Sequence, residues 1–165
     1  TLHSVDGGDG FDTLKVSSEL FSDTSRKEFG LPMDLVDGLR EKTNDIEMLD
    51  FEDGHATTVR LDPDDVLDLS GLEFVLSEGP YSNLTSDDDI RSALFITGDA
   101  QDTVQLPFSN ASGEGWIPMG EFFEGPNGQE YQGLESYFAD GEGGFDNGPI
   151  LLVGTRMNIE WIEMV

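Results

Sequence analysis

Short segments in which apolar and polar residues alternate, separated by turns rich in Gly and Asp, make up most of this chain. Alternation with a period of two marks a strand that buries one face. It predicts a strand at Thr13–Val16. Ile46–Phe51 and Thr57–Leu61 flank Glu52-Asp53-Gly54-His55 and read as a hairpin. Leu94–Thr97 and Thr103–Leu106 flank Gly98-Asp99-Ala100-Gln101-Asp102 and read as a second one. Ile150–Val153 is a short continuous apolar run, as a fully buried strand would be, and Asn158–Val165 alternates again around Ile159 and Trp161. Helical spacing is confined to Pro32–Arg40, to Asp62–Leu69 with an Asp N-cap and Pro at the first helical position, and to Ser86–Arg91. Ser109–Asn147, rich in Gly, aromatics and acids, is expected to hold long loops around one or two strands near Gly128–Tyr131. Neither a domain boundary nor a repeat is visible beyond the opening turn. The expected fold is mainly β: one domain over residues 1–165, a β-sandwich or β-roll with a few short helices and long loops.

Composition adds one large constraint. The 165 residues are enough for a real core, and 11 Phe, 3 Tyr and 2 Trp exclude a disordered acidic tail. Against this stand 35 acidic and 8 basic residues, a formal net charge of -27. Such a chain repels itself when folded, so bound divalent cations or a high-salt surrounding must offset the charge. Clustering of the acids in Gly-rich turns favours cations. The same charge excludes nucleic acid and anionic membrane surfaces as partners. Cysteine is absent, which rules out disulfides and thiolate metal sites and is compatible with secretion. No apolar run is long enough to span a membrane, so membrane insertion is not expected. No amino-terminal signal is visible, and the abrupt ends read as those of a piece of a larger protein.

The acidic turns are where chemistry is expected. Gly7-Gly8-Asp9-Gly10-Phe11-Asp12-Thr13-Leu14-Lys15 fits the nine-residue pattern Gly-Gly-x-Gly-x-Asp-x-apolar-x, which is similar to the calcium-binding repeat of RTX proteins. Glycines let carbonyl oxygens turn inward, the aspartate adds a carboxylate, and calcium takes six to eight such oxygens. Gly8, Asp9, Gly10 and Asp12 are therefore the first metal candidates. Asp99 and Asp102, three apart in one turn, either share an ion or form the turn through backbone bonds of their own. Gly141–Gly148 resembles the opening turn in chemistry, which makes Asp146 a further metal candidate. Asp50 and Asp65 are weaker ones. Asp62, Asp64, Asp68 and Asp87–Asp89 sit where helix starts favour acids anyway. His3 and His55 are too few for a zinc site, and neither accompanies a nucleophile elbow. Carboxylate pairs arise by chance among so many acids, so an enzyme is not expected.

Several segments in order resemble the region near the carboxyl end of large bacterial RTX adhesins exported by type I secretion. These are the opening turn, Asn44–Phe51, Thr57–Leu61, Asp65–Ser70, Leu94–Val104, Gly115-Trp116, Tyr131 and Leu151–Val153. Leu72–Ser92 and Pro118–Asn147 depart from that pattern. The resemblance implies an extracellular, secreted module of the bacterial cell surface, monomeric and stabilised by several Ca2+ ions, with residues 1–16 at its edge. It further implies cell adhesion, as in biofilms, through a peptide or protein ligand. A glycan ligand, or a structural cap or spacer without its own ligand, is the alternative. The expected ligand site gathers Tyr137, Asp140, Glu142, Gly144 and Asp146. Trp116, Phe122, Phe123, Tyr131 and Phe138 are further candidates to wall a groove.

Overall fold

The computed structural model describes residues 5–6, 11–16, 33–34, 43–44, 46–69, 92–109 and 112–164. In chain order the strands are β1 (Val5–Asp6), β2 (Thr13–Lys15), β3 (Met33–Asp34), β4 (Thr43–Asn44), β5 (Met48–Asp50), β6 (Thr58–Arg60), β7 (Ala93–Thr97) and β8 (Thr103–Phe108). They continue with β9 (Gly115–Glu124), β10 (Glu130–Ala139), β11 (Phe145–Asn147), β12 (Ile150–Gly154) and β13 (Asn158–Glu163). One helix, α1 (Pro63–Leu69), lies among the described residues. Its start follows from local chemistry: Asp65 Oδ2 accepts the Asp62 N–H at 2.8 Å, half of a capping box. The protein is mainly β, as expected.

The two expected hairpins are not hairpins. β5 and β6 do not pair with each other, and neither do β7 and β8. Instead β2, β5, β7 and β12 run parallel in one layer, while β3, β6, β8 and β13 run parallel in another. The turns Phe51–Thr57, Gly98–Asp102 and Gly154–Met157 carry the chain over from the first layer to the second as stacked arches. The reason lies in burial. β7 and β12 are buried along their whole length, and strands apolar on both faces belong inside parallel layers.

Parallel register then aligns equivalent side chains. Leu14, Leu49, Ile96 and Val153 form one row across the first layer. Val59, Val104 and Ile159 form the matching row across the second. Both rows pack into one core with Leu94, Leu106, Trp116, Leu134 and Leu151. The opposite face of the first layer carries Met48, Phe95 and Leu152, covered by Phe123 and Tyr131 in a second cluster. Phe95 meets the Tyr131 ring edge-on at 5.0 Å.

Between Ser109 and Asn147, where long loops around one or two strands near Gly128–Tyr131 were expected, β9 and β10 form a long antiparallel hairpin. It links the layers. β10 pairs with β12, and β9 meets the end of β8 at Phe108, so the sheet curls around the core in the order β2-β5-β7-β12-β10-β9-β8-β6-β3. Gly115 makes the junction possible. Its φ of 93° and a neighbouring Pro107 carbonyl leave no room for a Cβ. Helical spacing over Pro32–Arg40 is also corrected in part, since Met33–Asp34 is a strand paired with β6; the remainder lies outside the described residues, as does Ser86–Arg91.

Ile96 is completely buried in the central row. Ile96→Ala is expected to cost about 2–5 kcal/mol in urea-unfolding free energy.

Candidate functional site

The expected site residues fall into separate groups on the fold. Gly8, Asp9 and Gly10 lie outside the described residues, as do His3 and Asp87–Asp89. Asp12 is described and half-buried, just before β2. Its backbone carbonyl accepts from the N–H groups of Glu47 and Met48, both at 3.1 Å, and its own N–H donates to Glu47 Oε2 at 2.7 Å. The side chain is different. Asp12 Oδ2 is buried with no hydrogen-bond partner. A buried carboxylate oxygen without a donor is costly unless something positive meets it. Glu47, buried beside it just before β5, was not singled out by sequence, because one Glu among 35 acids carries no signal of its own.

Asp99 and Asp102 are brought together, and both serve the turn. Asp102 Oδ2 accepts the Asp99 N–H at 2.8 Å, while Asp99 Oδ1 accepts the Gln101 N–H at 2.8 Å. Asp102 is completely buried and reaches further. Its Oδ1 accepts the Thr57 N–H of the preceding arch at 3.0 Å, and its carbonyl accepts the Asn158 N–H of the following one at 2.9 Å. Burial pushes its carboxyl above the ordinary carboxylate value; the bonds from Asp99 and Thr57 pull the other way. Gly98 belongs to the same device, because a Cβ there would press on the Asp102 carboxylate. Asp50 is engaged too, accepting the Glu52 N–H at 2.9 Å and facing Lys15 Nζ at 3.7 Å.

The loop between β10 and β11 carries Asp140, Glu142 and Gly144. Asp140 Oδ1 accepts the N–H groups of Glu142 and Gly144 at 2.7 and 2.9 Å, which holds its carboxyl below the usual range. Asp146 sits exposed on β11 opposite Phe138, and Tyr137 meets Phe145 edge-on at 6.5 Å. The expected aromatic groove is redistributed. Phe123 and Tyr131 are core residues, Phe122 is exposed, and Tyr137 and Phe138 are half-buried. Trp116 is buried with its indole N–H donated to the Leu61 carbonyl at 2.8 Å.

An open cleft of about 490 Å³ lies elsewhere, at the end of the second layer. Phe108 and Trp161 stand at 87° with centroids 5.9 Å apart, Trp116 forms the floor, and Ile117, Pro118 and Glu114 complete the walls. Sequence reasoning did not bring these residues together. Trp161 shares the apolar parity of Ile159, but only the parallel register of β13 on β8 sets it near Phe108.

Among the described residues no group of three or more His, Asp and Glu side chains converges as a ready-made metal site. No helix among the described residues is long and apolar enough to cross a membrane. No protein-family model, curated protein or solved structure matches this chain.

Asp102→Asn keeps one acceptor and turns an NH2 group towards a backbone N–H, so a loss of about 1–3 kcal/mol is expected at neutral pH. The raised carboxyl value means the folded state holds the proton more tightly than the unfolded one. Asp102's favourable contribution is therefore complete below the unfolded value near 3.8 and declines as pH rises through the folded value. Urea unfolding across that window should show the gap between wild type and Asp102→Asn narrowing as pH increases.

Proposed function

We propose that this domain is a calcium-dependent adhesion module that binds an extracellular peptide or protein ligand at a bacterial cell surface. The observation that carries the calcium reading is Asp12 Oδ2, buried without a donor beside the buried Glu47 in a chain of net charge -27. A cation there would meet the orphaned oxygen and relieve carboxylate repulsion. Asp12 and Glu47 would supply carboxylate oxygens. This donor set is all oxygen, as a hard cation requires. Calcium bound there would neutralise charge and fasten β2 to β5, a structural contribution made in the folded state only.

The ligand reading rests on the β10–β11 loop. Asp140 organises it through two backbone bonds, and Glu142 and Asp146 are exposed around it. A second ion held by Asp146 would leave coordination positions for a ligand carboxylate. A structural spacer is the second reading, favoured by one feature. Among the described residues β2 and β3 stand at the two ends of the strand order, which is where a spacer's next coil would add. A panel of peptides and glycans tested against the calcium-loaded domain separates these readings, since a spacer binds none and a sugar-binding module responds to saccharides.

Calorimetry tests the calcium reading. Excess calcium over chelator should raise Tm by about 5–10 °C for one site filled a hundredfold above its Kd. Asp12→Asn should abolish much of that rise, and an unchanged wild-type Tm refutes the reading. Asp146→Ala should weaken ligand binding while leaving the calcium-dependent rise in Tm largely in place. Intact ligand binding in that variant places the ligand elsewhere.

A further inference from the structure

The cleft at the end of the second layer has a chemistry of its own. Strand parity explains why it exists. Val104, Leu106 and Phe108 point to one face of β8, and Ile159 and Trp161 point to the same face of the adjoining β13. The inner members of this row are buried or packed against the core, whereas Trp161 is 38% exposed. The row that fills the interior therefore emerges at the surface as a pair of perpendicular aromatic rings. Gly115 holds the start of β9 against Phe108 and so fixes Trp116, Ile117 and Pro118 as the remaining apolar walls.

The two rings pack edge to face, one covering part of the other's face, and the ring surface left towards the cleft attracts cations. The charges present agree. Among the described residues that line the cleft, Glu114 carries a charge and none is Lys or Arg. The surrounding chain carries a net charge of -27, which draws cationic groups from solution. At about 490 Å³ the cleft falls within the roughly 300–1,000 Å³ typical of ligand sites. A neutral apolar group would gain the walls and nothing from Glu114, while a carboxylate would be repelled.

We propose that the Phe108–Trp161 cleft binds the cationic side chain, Arg or Lys, of a basic peptide segment, with the ring faces holding the charge and Glu114 pairing with it. This rests on the adhesion reading for the ligand's class, a peptide, and adds a contact at the cleft that is separate from the one assigned to the β10–β11 loop. It does not require calcium to touch the ligand.

Two peptides that differ in charge alone provide the test: acetyl-Gly-Arg-Gly-amide and its citrulline counterpart. They are titrated at moderate salt into the domain with calcium and, separately, with chelator. Binding is read from the Trp161 indole resonance and from its fluorescence. The arginine peptide should shift the Trp161 signal saturably and bind at least about fivefold tighter than the citrulline peptide, the scale expected of a cation–π contact. Trp161→Ala should remove this binding, and Glu114→Gln, which leaves the rings intact, should weaken it severalfold; unfolding curves establish that both variants are folded. Equal affinity for the two peptides overturns the proposal, as does arginine binding that survives Trp161→Ala. A Trp161 shift caused by simple saccharides but not by the arginine peptide overturns it in favour of a sugar site. Arginine binding that persists in chelator supports the cleft proposal even when the calcium reading fails, and a calcium-raised Tm without arginine binding refutes the cleft alone.

Discussion

The arches depend on one buried carboxylate. Asp102 accepts backbone N–H groups from its own turn and from the arch before it, and its carbonyl accepts from the arch after it. Three turns are thereby fixed in stack, and the strands they connect follow in register. Burying a carboxylate is costly, and its raised pKa records the cost. Aligned backbone donors offset it, and Gly98 leaves the space in which the side chain lies. A second tie crosses the same end of the molecule, where Arg156 Nη1 on the last arch reaches Glu52 Oε1 on the first at 2.9 Å.

Once the arches are stacked, side-chain rows do the packing. Parallel register places Leu49 beside Ile96 and Ile96 beside Val153, so each coil adds one apolar side chain to a continuous interior. The first layer needs cover on its other face as well, and the β9–β10 hairpin provides it through Phe123 and Tyr131. The hairpin thus serves stability and also shapes the surface. It closes the sheet around the core, and its root at Gly115 builds the aromatic cleft beside β13.

Charge runs through both proposals. An excess of 35 acids over 8 basic residues disfavours the compact state, and the described basic residues Lys15, Arg60 and Arg156 are each engaged with a carboxylate. Much of the remaining acid is arranged to accept backbone N–H groups, as at Asp50, Asp99, Asp102 and Asp140. Asp12 differs: no described donor meets its Oδ2. Acids tied down by backbone donors and an acid left without one therefore stand in the same chain, separated by whether backbone donors reach the carboxylate.

The sequence by itself determined the mainly β character, most strand positions after Ile46, the start of α1 and the acidic turns, because alternation, capping and turn chemistry are local. It also singled out Asp12 and the Asp140–Asp146 loop as places of interest. Partner choice was decided by tertiary structure. A turn such as Gly98–Asp102 reads the same whether its strands fold back on each other or cross between layers, and the outcome depends on distant strands that bury both faces of β7. The repeated coil was invisible because its rows recur at unequal intervals along the chain. Glu47 beside Asp12, and Trp161 beside Phe108, are likewise products of parallel register. No spacing in the sequence encodes them, since such contacts exist only once separate coils are stacked.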